Sequence, residues 1–137
     1  MIGMVLVTHG TLADALREAM EHVVGKQKSV ATVCIESDAE FESQRAEIAR
    51  RMDEVNDGDG VILLTDMFGG TPSNLAMSMA SQPGVEIIGG VNLPMLVKLA
   101  KIRGQQTLSE AVAHAEAAWR KYICSGHDLT SPCRAAE

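Results

Sequence analysis

The chain has 137 residues, 46% of them hydrophobic and 22% charged, with a formal net charge of −6. That length predicts a single domain able to bury roughly two thirds of its unfolded surface, and the acidic balance argues against a nucleic-acid partner, which rewards clustered Lys and Arg. No apolar run approaches the ~20 residues of a membrane span, and the opening apolar stretch lacks a basic flank and is broken by His9, so neither a membrane insertion nor a secretory signal is expected and the predicted location is cytoplasmic.

Strands and helices alternate from end to end, the pattern of a parallel sheet covered on both faces. Residues 1–7 read as strand one. Leu12, Leu16, Ala19, Met20 and Val23 then recur at helical spacing, and Gly25 is placed to stop that helix. Residues 30–35 read as strand two. Ser37 with Glu40 has the spacing of a capping box for a helix whose stripe is Phe41, Ile48, Met52 and Val55. The Asn-Asp-Gly-Asp-Gly run at 56–60 is a turn, and 61–65 is strand three. Thr71 and Pro72 supply an N-cap and a first-turn proline for a helix running to about Ser81. Strand four is 85–88, a Gly-rich loop follows, and Pro94 starts a helix that Gly104 stops. Thr107 with Glu110 caps the last helix, with Leu108, Val112, Ala115, Trp119 and Tyr122 on its inner side. Residues 1–124 form the predicted domain. Residues 125–137, polar and without periodicity, are read as a flexible tail.

Two strand ends carry chemistry. The first apolar run ends in Thr8, His9 and Gly10, which exposes one imidazole where ligands collect in open α/β sheets. The third strand runs into Asp66, followed by Met-Phe-Gly-Gly-Thr-Pro-Ser-Asn. A histidine at a strand end often only caps a turn; the pair with an aspartate is the stronger signal. An aspartate accepting from Nδ1–H would fix the tautomer and leave Nε2 as a nucleophile. Gly69 and Gly70 permit close backbone approach, and the helix start at Thr71 and Pro72 presents donors to an anion. Gly70, Thr71 and Ser73 are candidate anion contacts, with a plain N-cap as the bland reading of Thr71 and the role of Ser73 open between ligand and structure. Phe68 and Asn92 are assigned to partner docking, Phe68 on a rim and Asn92 in the loop lining the same crevice, where satisfying the loop backbone is its bland reading. Asn74 is read as structural, His22 and His114 as helix residues near charged neighbours and His127 as a tail residue, none of them with an assigned function.

The cysteines Cys34, Cys124 and Cys133 are odd in number and irregularly spaced, which suits a reducing compartment. Cys124, His127 and Cys133 fit no structural zinc pattern. No Gly-x4-Gly-Lys-Ser/Thr or Gly-x-Gly-x2-Gly occurs, so direct use of ATP or a dinucleotide has no support and no cofactor is expected.

The residues Val7 to Gly10, Asp66 to Asn74, and Gly89 to Met95 together resemble the IIA component of the mannose family of the bacterial sugar phosphotransferase system. The likeness covers roughly residues 1–120. It implies a four-stranded parallel sheet of order 2-1-3-4, with helices on both faces, in homodimers that exchange a short C-terminal strand; 120–124 is the candidate segment. It further implies that His9 Nε2 carries a phosphoryl group with Asp66 as partner, received from the phosphocarrier HPr and passed to a IIB component on a separate polypeptide. Competing readings are a regulatory docking module that reports phosphorylation state, the phosphotransferase subunit of dihydroxyacetone kinase, and a small tetrapyrrole metal chelatase. The kinase subunit lacks the Asp-x-Phe-Gly-Gly-Thr-Pro run, and the chelatase would need a second histidine at a later strand end.

Overall fold

A computed structural model describes residues 1–127. Its elements alternate as the hydrophobic pattern predicts: β1 (Gly3–His9), α1 (Leu12–Val24), β2 (Val30–Ile35), α2 (Phe41–Val55), β3 (Val61–Thr65), α3 (Thr71–Met77), β4 (Val85–Gly89), α4 (Leu93–Ile102) and α5 (Leu108–Lys121). All strand pairs are parallel and the order is β2-β1-β3-β4, as expected.

The central strands are apolar on both faces, and their two-residue alternation sorts the core into two layers. Met4, Leu6, Ile62 and Leu64 pack with α1, α4 and α5. Val5, Val7, Val61 and Leu63 pack with Ile48, Met52 and Val55 of α2 and Leu75, Ala76 and Met79 on the other side. The chain leaves β1 toward β2, then returns across the sheet to β3, so the connections part between the ends of β1 and β3. That divergence is the switch point at which a ligand crevice opens.

Several details differ from the sequence reading. The inner face of α1 is Ala13, Leu16 and Met20, so Leu12 and Val23 lie outside, 42% and 56% exposed. Ser37 caps nothing. Helix α2 begins at Phe41 with Glu40 as N-cap, because the chain first turns back through an Ala39 N–H to Glu36 carbonyl bond of 3.1 Å. Phe41 in that first turn is 41% exposed rather than in the stripe. Gly70, not Thr71, is the N-cap of α3, which ends at Met77, with turns carrying the chain on toward Ser81. Helix α4 ends with Arg103 as C-cap, one residue before Gly104. The capping box at the start of α5 forms as predicted, Thr107 Oγ1 accepting from the Glu110 amide and the Glu110 carboxylate from the Thr107 amide. Arg120 and Lys121 of the candidate exchange segment are the last residues of α5, and Tyr122 is its C-cap. Cys133 and most of the predicted tail lie outside the described residues.

Arg103, not singled out from sequence, is buried at the opposite end of the sheet from His9. Its guanidinium donates to the carbonyls of Ile2 and Ser29, each at 3.1 Å, to the Lys28 carbonyl, and to Gln27 Oε1 at 3.1 Å. The C-terminal end of α4 is thereby tied to the entries of β1 and β2.

Candidate active site

His9 is the last residue of β1, and its side chain is 51% exposed. Asp66 follows β3 directly and is 14% exposed. One carboxylate oxygen, Asp66 Oδ2, accepts from the His9 amide at 3.0 Å and lies 2.8 Å from His9 Nδ1. The other, Oδ1, accepts from the Met67 amide at 3.0 Å. Burial pushes the Asp66 carboxyl up, but the His9 amide, the imidazole and the Met67 amide outweigh it and hold the group below its ordinary value. An ionised carboxylate only accepts, so the proton between the two side chains sits on Nδ1, and in the neutral imidazole the lone pair is then on Nε2.

Backbone Gly70 lies against that nitrogen. A methyl group added there would stand 2.9 Å from both Nε2 and Cε1 of His9, closer than a carbon atom tolerates. The loop holding Gly70 in place is fastened by Ser73, whose buried hydroxyl accepts from the amides of Gly69 (3.0 Å) and Gly70 (3.2 Å) and donates to the Gly70 carbonyl (2.9 Å). Thr8 spends its hydroxyl similarly, accepting from the Ala13 amide at 2.7 Å at the start of α1.

His9 opens on a pocket of about 290 Å³ lined by Gly10, Ile35, Glu36, Ser37, Ala39 and Thr71. Thr71 is thus brought to the histidine, and its hydroxyl has no hydrogen-bond partner among the described residues. Ser73, Phe68 and Asn92 are not lining residues of that pocket. Phe68 is 55% exposed and its ring covers Gly89, beside a separate cleft with Met95 and Trp119. Asn92 is the N-cap of α4, its Oδ1 accepting from the Met95 amide at 3.0 Å. Sequence reasoning missed the wall formed by Glu36, Ser37 and Ala39. The signal was the strand order: β2 neighbours β1, and Ile35 pairs with His9, so whatever follows Ile35 must flank the histidine.

A parallel α/β sheet with a histidine–aspartate pair at its switch point is an arrangement capable of nucleophilic or group-carrying chemistry. The family model described as "PTS system fructose IIA component" matches residues 3–116. The chain belongs to this phosphotransferase-system (PTS) IIA family. It is 25% identical over 130 residues to the PTS system fructose-specific EIIA component of Bacillus subtilis, covering 93% of this chain and 89% of that protein. It is 30% identical over 116 residues to the PTS system mannose-specific EIIAB component of Escherichia coli K12, which spans 83% of this chain but only 36% of that longer protein. In fold it resembles the phosphotransferase system component EIIA of Streptococcus agalactiae, with a TM-score of 0.82 at 22% identity over 91% of this chain and 97% of that one. Among the described residues no helix is long and apolar enough to cross a membrane, and no group of three or more His, Cys, Asp or Glu residues is placed to hold a metal ion.

Proposed function

We propose that the chain is a cytoplasmic phosphocarrier that accepts a phosphoryl group from phosphorylated HPr on His9 Nε2 and passes it to a IIB component, in sugar uptake or its regulation. The observation that carries this reading is the 2.8 Å contact between His9 Nδ1 and Asp66 Oδ2, with Nε2 turned toward Gly70. The Nε2 lone pair forms the new N–P bond as the N–P bond of the donor phosphohistidine breaks, and the released electron pair returns to the donor ring. The proton on Nδ1 remains there, and Asp66 balances the positive charge that develops on the imidazole.

Phosphoryl transfer passes through a loose transition state, so catalysis is mainly placement and donors. Gly70 leaves room beside Nε2, and the Thr71 hydroxyl offers a donor from the pocket wall. Ser73 serves the phosphate indirectly, by holding the Gly69–Gly70 backbone. The exposed pair Met67 and Phe68, 57% and 55% exposed, provides an apolar rim next to Asp66 on which the partner proteins dock. Asn92 fixes the neighbouring α4 start, and assembly as a homodimer belongs to the same reading.

The test is the intact mass of the purified chain after incubation with phosphoenolpyruvate, enzyme I and HPr. One acid-labile phosphoryl group is expected, dependent on HPr and absent in His9→Ala. Labelling that persists in His9→Ala would overturn the assignment.

A further inference from the structure

We propose that Ser37 is a further catalytic residue of this site, donating a hydrogen bond from its hydroxyl to the phosphoryl group carried on Nε2. This rests on the phosphocarrier reading and adds to it a donor from the β2–α2 turn. Ile35 pairs with His9 in the sheet, and the Gly10 amide donates to the Ile35 carbonyl at 2.9 Å. The turn closed by the Ala39 amide on the Glu36 carbonyl then returns the chain so that Ser37 lines the same pocket as His9 and Thr71.

An accounting of hydroxyls separates Ser37 from its neighbours. Those of Thr8 and Ser73 are committed to backbone groups. Those of Ser37 and Thr71 have no hydrogen-bond partner among the described residues, and they are the two hydroxyl side chains lining the His9 pocket. Ser37 does not fill the capping role that sequence spacing suggests for it: the N-cap position of α2 is Glu40, whose side chain makes no capping bond. No lysine or arginine is among the lining residues, while Glu36 is. A phosphoryl group with about two negative charges therefore meets no side-chain cation there and must be held by neutral donors, hydroxyls among them. Thr71 stands on the α3 side and Ser37 on the β2 side, so the two can hold different phosphoryl oxygens.

The test compares Ser37→Ala and Ser37→Thr with the wild type in phosphoryl transfer from phosphorylated HPr, with the ³¹P resonance of the phosphohistidine as a second readout. Ser29 is the one non-glycine residue with positive φ among the described residues, so both substitutions fit the backbone at 37. Acceptance by Ser37→Ala should be about tenfold slower, with a shifted ³¹P resonance, and Ser37→Thr should recover to within about twofold of wild type. Wild-type rate and an unmoved resonance in Ser37→Ala would overturn the role, as would equal slowing of both variants, which would show that the hydroxyl is not what matters. A wild-type chain that takes no phosphoryl group from HPr overturns the phosphocarrier reading itself, and the Ser37 role with it.

Discussion

Asp66 Oδ2 accepts twice from a single residue, from the His9 amide at 3.0 Å and from His9 Nδ1 at 2.8 Å. The amide bond ties the carboxylate to the backbone of β1, and the ring bond then orients an imidazole whose backbone is already held in the sheet. Nε2, the nitrogen proposed to carry the phosphoryl group, is positioned by two strand ends, which lowers the ordering cost of reaching an in-line geometry.

The same relationship predicts a pH dependence. The folded-state pKa of Asp66 lies below its ordinary value, with burial opposing the shift and the His9 and Met67 donors driving it. Such a group contributes stability that is full above the unfolded carboxyl value of ~3.9 and is lost as pH falls through the lower folded value. The stability gap between wild type and Asp66→Asn should shrink progressively as pH falls below ~4. Urea unfolding of both proteins between about pH 5 and pH 2 measures it; a gap that widens as pH falls below ~4 would contradict the hydrogen-bond assignment. In the transfer assay, the loss of charge beside Nδ1 should slow acceptance by roughly 10- to 100-fold while leaving some.

Gly70 is predicted to be intolerant of even one methyl group. Its φ of −123° is open to any residue, so Gly70→Ala carries no backbone strain. The added carbon would meet the edge of the His9 ring at 2.9 Å and either displace the ring or cover Nε2. Acceptance of phosphate should fall by at least about a hundredfold, with the thermal midpoint changed little. Near-wild-type acceptance would show that the phosphoryl group approaches from another side.

Much of this was legible before the structure because it is local or periodic. The bounds of β2 and β3 follow directly from apolar runs between turn residues, and His9 and Asp66 announce themselves as polar groups ending two such runs. The errors have tertiary causes. The Ser37–Glu40 spacing imitates a capping box, but the turn from Glu36 to Ala39 postpones the helix to Phe41. The face of α1 is rotated toward Ala13, since a small residue lets α1 approach the sheet closely while Leu12 and Val23 remain outside. Thr71 and Ser73 look alike as hydroxyls after Gly70. Only packing shows that Ser73 is buried and committed to the loop while Thr71 faces the pocket.

Phe68 is predicted to act through association rather than chemistry. Its ring is 55% exposed, rests on Gly89 and does not line the His9 pocket. Phe68→Ala should therefore leave stability within about 1 kcal/mol of wild type. The KM for phosphorylated HPr should rise by about 5- to 30-fold with kcat little altered, as for a truncated apolar anchor at a transient interface. A fall in kcat at unchanged KM would place Phe68 in the transfer step instead.

Arg103 ties together the end of the sheet opposite His9. Its guanidinium serves three carbonyls and one side-chain amide oxygen contributed by Ile2, Gln27, Lys28 and Ser29, residues 74 to 101 positions away in sequence. No local pattern could reveal such a residue. Burial lowers its pKa, yet a guanidinium stays charged, and its fork reaches acceptors in several directions at once. Arg103→Met leaves those carbonyls without their donor and should cost about 3 kcal/mol in urea unfolding. Arg103→Lys should recover only part of that, because one ammonium at the end of a flexible stem cannot reproduce the planar fork. With β1 seven residues long, the damage lies about 20 Å from His9. Both variants, while folded, should accept phosphate at the wild-type rate; slowed transfer in a fully folded Arg103→Met would mean that the two ends of the sheet are coupled.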